Sequence, residues 1–278
     1  MRRYMKIKFR FNELNQLVEI CKKLKDNDFP PSTYRAVKGK ELFDKIFLHS
    51  LSFIKLWPKK DEPDTIKNID AGSLVSIARN IIETHHVYHY ICEPKITEEE
   101  LEFRIALKSL HYSCNTLDIL SKLGFSESDN VVSTLVVTKK CSIRSLEQNP
   151  FFSSLDNGRR SYLLTGQKPY CLNKEDNKLE SALYNLFSNS IHSFPLGVRN
   201  NFEGHFDNHV SRINMLFLAH ETVILYLSSV VKAYISLRRK LSLCISNDEK
   251  EFLKTIDDSY LRKWIESRKI IGYKESLL

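Results

Sequence analysis

The chain has 278 residues and a formal net charge of +8, with 42 Lys or Arg against 34 Asp or Glu. Its 8 glycines and 8 prolines are too few for the turns of an all-β protein of this length. The 6 cysteines are widely spaced without a Cys-x-x-Cys pair, which argues against a disulfide framework or a structural zinc site and predicts reduced thiols in the cytoplasm. We therefore expect an all-α fold, an irregular bundle of about seven to eight helices.

The first residues form a basic segment in which apolar and positive side chains alternate. Met5, Ile7, Phe9 and Phe11 recur with period two, which predicts a short extended arm. Cationic arms attract nucleic acid through counterion release, although such charge can also be a solvated surface. The candidate nucleic-acid-binding residues are Arg2, Arg3, Lys6, Lys8 and Arg10.

Helical periodicity, breakers and caps divide the rest of the chain. Helices are predicted over about 12–25, 38–56, 71–92, 97–123, 128–148, 176–194, 206–241 and 248–268. Within 128–148 the β-branched run VVSTLVV would also suit a strand, and the longer pattern favours a helix. Turn-forming residues over 149–174 predict a long irregular connection. We expect residues 1–60 to hold the arm and two helices and 61–278 the main bundle, or one continuous domain over 1–278.

The longest apolar stretch runs from residue 215 to 235. His220, Glu221 and Lys232 interrupt it, and ionisable groups at a bilayer centre cost about 3 kcal/mol each. We interpret it as a buried core helix of a soluble protein, without a membrane span. A second basic cluster follows it, formed by Lys232, Arg238, Arg239 and Lys240.

The helix predicted over 71–92 carries the most informative polar residues. It is apolar on most of its circumference, and Arg79 and Glu83 lie one turn apart on it, where a buried arginine requires a partner. A second helix carries Tyr184, Ser188 and His192 at intervals of four. If the two helices pack together, Arg79 could bind phosphate while His192 acts as an acid or base. Alternatively, the same residues form a polar network that fixes the register of the helices.

Two strings resemble the Arg-polar-x4-His signature of the HEPN superfamily, which includes metal-independent ribonucleases and toxins. The first is RNIIETH, with Arg79 and His85, and the second is RNNFEGH, with Arg199 and His205. In the family the motif begins near a helix start, as the second string does. Six residues at 100° each place Arg79 and His85 about 120° apart on a regular helix, which departs from the family pattern.

The chain also resembles a set of uncharacterised bacterial helical proteins over about residues 70–197. The shared pattern is Arg-x3-Glu, a proline loop, and later Tyr-x3-Ser-x3-His. This resemblance favours Arg79, Glu83, Ser188 and His192 as site residues. His85, His86 and His89 have helical spacing for a metal, but the sequence supplies no carboxylate at a matching position, so we expect no metal and no cofactor.

The HEPN resemblance implies a metal-independent ribonuclease, acting as a toxin or antiviral-defence effector and assembling as a homodimer. Together, the polar stripes and the two resemblances give the expected catalytic residues, which are Arg79, Glu83, His85, Ser188 and His192, with Arg199 and His205 as the second choice. The alternative is a non-catalytic helical adaptor or immunity component that binds a partner protein or nucleic acid.

Overall fold

The computed structural model describes residues 9–27, 29–31, 33–57, 70–166, 178–191 and 208–271. Within these ranges the regular structure is helical and contains no strand, so the predicted all-α fold is confirmed. The described ranges hold eleven α-helices, more than the seven to eight expected. Residues 1–8 of the predicted arm lie outside the described residues, and Phe9 and Arg10 lead irregularly into the first helix.

The α-helices, numbered in chain order, are α1 Phe11–Asp26, α2 Tyr34–Leu56, α3 Ala71–Cys92, α4 Glu98–Lys122, α5 Asn130–Glu147, α6 Pro150–Ser153, α7 Asn157–Leu164, α8 Lys178–Ile191, α9 Asn208–Leu237, α10 Asn247–Thr255 and α11 Ser259–Ile271. A 3-10 segment, Arg239–Cys244, follows α9.

The segment predicted as an irregular connection, 149–174, contains α6 and α7 in its described part, so that prediction was wrong there. The side chain of Asn149 accepts from the backbone N–H of Phe151 at 2.9 Å, and Pro150 occupies the start of α6. Asp156 caps α7 in the same way. The turn-forming residues therefore serve as helix starts.

The helix predicted over 248–268 is also two helices, α10 and α11. Asp257 separates them, and its carboxylate accepts from the backbone N–H of Ser259 at 2.9 Å. Such an acceptor satisfies an N–H group that has no partner inside the new helix.

The chain divides into two compact units, Met1–Tyr88 with Asp176–Leu278, and His89–Glu175. We call them the large unit and the inserted unit. The division predicted between residues 60 and 61 stays a prediction.

The core of the large unit is built around α9. This helix packs against α1, α2 and the 3-10 segment, and Tyr234 stacks on Phe43 with ring centroids 4.3 Å apart. Among the described helices, its stretch Ile213–Leu237 alone is long and apolar enough to cross a membrane by length and composition. In the most apolar part of this stretch, 89% of the helix is buried inside the fold, in agreement with the expected burial of this segment.

The inserted unit holds α4 and α5 along each other, with α6 packed on both. Phe103, Leu107 and Leu110 of α4 are buried in its core. Arg104, only 4% exposed, donates to the backbone oxygen of Tyr90 at 2.7 Å. It also forms ion pairs with two glutamates, Glu93 and Glu100, at 2.8 and 2.6 Å. This buried cation therefore fastens the end of α3 to the start of α4.

Candidate functional site

Polar side chains meet where α3 and α8 come together in the large unit. α3 contributes Arg79, Glu83 and His86, and α8 contributes Glu180 and Tyr184. We call these five residues the α3–α8 strip. On each helix they recur at intervals of three or four residues, so they share one face.

One end of the strip holds the guanidinium of Arg79. Its Nη2 donates to Oε1 of Glu83 at 3.2 Å and to the hydroxyl oxygen of Tyr184 at 3.0 Å. The Tyr184 hydroxyl donates to the same Glu83 oxygen at 2.8 Å, and the tyrosine ring centroid lies 5.2 Å from the guanidinium carbon. Partners on two helices thus hold the guanidinium in place, as an anion-binding arginine requires, and Glu83 offsets part of its charge.

The other end holds His86, whose Nε2 makes a short hydrogen bond to Oε1 of Glu180. Glu180 also takes part in a hydrogen bond with Tyr226 of α9. Burial raises the pKa of Tyr226, and the neighbouring carboxylate of Glu180 raises that pKa further, so the phenol remains a neutral donor. A carboxylate that bonds an imidazole orients the ring and determines which ring nitrogen carries the proton, as in acid–base catalysis.

His85 turns toward α9 instead. Its Nε2 lies 3.0 Å from Oγ of Ser229, and its ring meets that of Tyr226 edge-on at 4.6 Å. The ring centroids of His85 and His86 are 6.0 Å apart. Arg79 contacts α8 whereas His85 contacts α9, in agreement with the angle of about 120° expected from helix geometry.

The strip is open to solvent. The side chains of Arg79 and Glu83 are 25% and 31% exposed, and those of His86 and Glu180 are 26% and 20% exposed. A dry, closed cluster would serve only the packing of the helices, whereas these groups are within reach of water and of a ligand.

The other predicted site residues divide into two groups. Ser188 is half-buried on α8, one turn beyond Tyr184. The residues that lie outside the described ranges are Arg2, Arg3, Lys6, Lys8, His192, Arg199 and His205.

Arg10, the described residue of the predicted nucleic-acid-binding arm, is engaged inside the large unit. Its Nη2 lies 2.5 Å from Oε2 of Glu221, a side chain that is 1% exposed. Its guanidinium carbon also lies 4.9 Å from the ring centroid of Tyr260. Glu221 therefore neutralises most of the charge that Arg10 could offer to a nucleic acid.

Glu180, Tyr226 and Ser229 were missed as site residues from sequence, and His86 and Tyr184 were noted there without being among the expected catalytic residues. A signal for Glu180 was present, because continuing the stripe of Tyr184 and Ser188 one turn backward reaches position 180. No comparable signal marks Tyr226 or Ser229, which lie in a helix that is apolar along most of its length.

No family model, no curated protein and no solved structure matches this chain. The residues of the strip are therefore the basis for assigning a function.

Proposed function

We propose that this chain is a HEPN-like, metal-independent endoribonuclease whose reaction centre is the α3–α8 strip together with His85. One observation carries the proposal: a guanidinium held by partners on two helices and an imidazole bonded to a carboxylate lie on one solvent-accessible face. Seven residues of helix separate Arg79 from His86 by about 10 Å along the axis, which leaves room for one phosphodiester between the two head groups.

Each residue has a role in the proposed reaction. The ribose 2′-oxygen attacks the adjacent phosphorus while its proton passes to His86, which Glu180 orients. Arg79 stabilises the negative charge that develops on the phosphoryl oxygens. The bond to the 5′-oxygen breaks as His85, which enters the reaction protonated, donates its proton to that oxygen. The products are a 2′,3′-cyclic phosphate and a 5′-hydroxyl end, and proton exchange with water returns both histidines to their starting forms.

Cleavage of a mixed-sequence RNA in the presence of EDTA tests the proposal. We expect Arg79→Ala and His86→Ala each to lower the rate by about 10² to 10³-fold. Arg159→Ala, at an exposed position of α7, and His111→Gln, which keeps a donor toward Gly166, should retain the wild-type rate. EDTA-resistant activity that is the same in the single alanine variants of His85, His86, His192 and His205 would reject this assignment.

A non-catalytic adaptor that binds RNA is the second candidate, and a basic cavity favours it. The cavity, of about 480 Å³, is lined by Arg238, Arg239 and Lys240 beside Pro30 and Pro31. Arg239 and Lys240 are exposed. This group of cations would attract phosphate through counterion release.

RNA binding as a function of salt concentration tests this second candidate. Charge reversal at Arg239 and Lys240 together should weaken RNA binding and make the affinity depend less strongly on the salt concentration. Deletion of residues 1–8 tests the basic arm and retains Arg10 with its partner Glu221. Wild-type binding by both variants would contradict the adaptor.

The homodimer implied by the HEPN resemblance remains part of the ribonuclease proposal, and sedimentation equilibrium measures the oligomeric state.

A further inference from the structure

Three side chains at the His86 end of the strip combine donors that transition metals prefer. His85 and His86 of α3 and Glu180 of α8 each offer one ligand atom, and these atoms all lie within 4.8 Å of one another. All three side chains are half-buried. Two imidazole nitrogens with one carboxylate oxygen make up a donor set that suits Zn²⁺ and its neighbours more than Mg²⁺ or Ca²⁺.

We propose that His85, His86 and Glu180 form a binding site for a divalent transition-metal ion, with Zn²⁺ as the typical occupant. Zinc bound by three protein ligands keeps a fourth position for water. With metal–ligand bonds of about 2.1 Å, tetrahedral ligand atoms are about 3.4 Å apart. The atoms, which all lie within 4.8 Å of one another, need to close by at most about 1.4 Å, and the short contact between His86 and Glu180 must open. Rotations of the partly exposed His86 and Glu180 side chains can supply that movement.

The neighbours of the three ligands support the assignment. Ser229 bonds Nε2 of His85 at 3.0 Å, and Tyr226 shares a hydrogen bond with Glu180. Partners of this kind orient metal ligands and are a regular part of metal sites. Because both belong to α9, the ion would be held by ligands from two helices and supported by a third.

This inference goes beyond the proposed function, which needs no metal. A bound ion would occupy the imidazole nitrogen of His86 and the carboxylate of Glu180 that the acid–base step requires. If the proposed function also holds, Zn²⁺ should inhibit RNA cleavage and chelation should restore it.

Isothermal titration of the EDTA-treated and dialysed full chain with Zn²⁺ tests the site without reference to activity. We expect one ion per chain, and at least tenfold weaker binding in His86→Ala and in Glu180→Gln. His111→Gln is the matched control and should bind as the wild type does. Circular dichroism of each variant identifies loss of folding, and Glu180→Asp, which keeps the carboxylate, should retain part of the affinity.

Titration with Co²⁺ identifies the ligand type, because the described cysteines form no disulfide and their thiols could compete for the metal. Visible absorption of tetrahedral Co²⁺ without a thiolate charge-transfer band is the expected result. A thiolate band that persists in Glu180→Gln, or Zn²⁺ affinity unchanged in both ligand variants, would overturn the metal site. Metal binding by a chain that cleaves no RNA would instead reject the proposed function and leave the metal site standing.

Discussion

The hydroxyl of Tyr184 lies 2.8 Å from Oε1 of Glu83, the same oxygen that accepts from Arg79. The tyrosine thus completes a triangle in which a residue of α8 holds an ion pair that belongs to α3.

Tyr184→Phe should distinguish the contribution of the hydroxyl group from that of the aromatic ring. The variant loses the hydrogen bonds but keeps the aromatic face beside Arg79, so we expect the free energy of unfolding to fall by about 1 kcal/mol. RNA cleavage should fall by about tenfold, because the guanidinium is held less firmly. Urea unfolding and initial cleavage rates measure the two effects. Wild-type values for both would show that the triangle contributes neither to stability nor to positioning.

The ion pair between Arg10 and Glu221 should be costly to break from one side. Arg10→Met removes the arginine from the almost fully buried carboxylate of Glu221, which keeps the neighbouring His220 Nδ1 at 3.5 Å. Loss of this ion pair should lower the free energy of unfolding by about 3 to 5 kcal/mol. Changing both residues to Met should recover most of this loss. Arg262→Met is the comparison, since its exposed partner Asp258 remains solvated and stability should hardly change. If Arg10→Met and the variant with Met at both positions lost the same free energy of unfolding, the unpaired carboxylate of Glu221 would not be the cause of the loss.

His220 should make stability fall at acidic pH. It is fully buried beside the rings of Phe11 and Trp57, and this burial lowers its pKa below the ordinary value near 6.5. Above about pH 6.5, His220 is neutral in both the folded and the unfolded protein. Below about pH 6.5, His220 of the unfolded protein takes up a proton first. The free energy of unfolding therefore decreases as the pH falls toward the pKa of His220 in the folded protein, at most by about 1.4 kcal/mol per pH unit.

Urea unfolding of the wild type and His220→Leu between pH 8 and 5 measures this dependence. The difference between the two curves reports His220 together with its contact to Glu221. It excludes more distant groups such as His49, whose pKa is also lowered by burial and by Lys45. We expect a flatter curve in the variant. An identical slope in both proteins would reject the role of His220.

Two glycines should respond differently to the same substitution. Gly124 and Gly166 both have positive φ, 86° and 77°, so alanine strains the backbone at either position by about 1 to 2 kcal/mol. A Cβ at Gly166 would also lie 2.6 Å from Sγ of Cys114, whereas at Gly124 it meets nothing within 4 Å. Thermal unfolding should therefore show a clearly larger loss for Gly166→Ala than for Gly124→Ala. Equal losses would mean that Cys114 moves away without cost.

Most long helices could be predicted from the sequence because their boundaries carry strong signals. α3 has its predicted bounds, Ala71–Cys92, with Asp70 accepting from the N–H of Gly72 at 3.0 Å at one end and Pro94 just beyond the other. The short α6 and α7 could not be separated from a loop, since the residues that form turns are also the residues that cap helices.

The candidate site was only partly predictable. The pairing of Arg79 with Glu83 was expected and is present, because both lie on one helix and their spacing determines it. The contacts of Glu180 with His86 and of Ser229 with His85 join residues 94 and 144 positions apart. Helical periodicity describes one helix at a time, so it cannot pair residues across such distances.

The division of the chain has a consequence for its synthesis. The large unit combines Met1–Tyr88 with Asp176–Leu278, so its first part emerges from the ribosome before the helix that completes its core. At 5 to 20 residues per second, about 7 to 30 s pass between the synthesis of Tyr88 and that of Leu237. During that interval α1 and α2 lack the helix α9 against which both pack, although all of His89–Glu175 has been synthesised. The nascent chain is therefore most in need of chaperone protection before α9 is made.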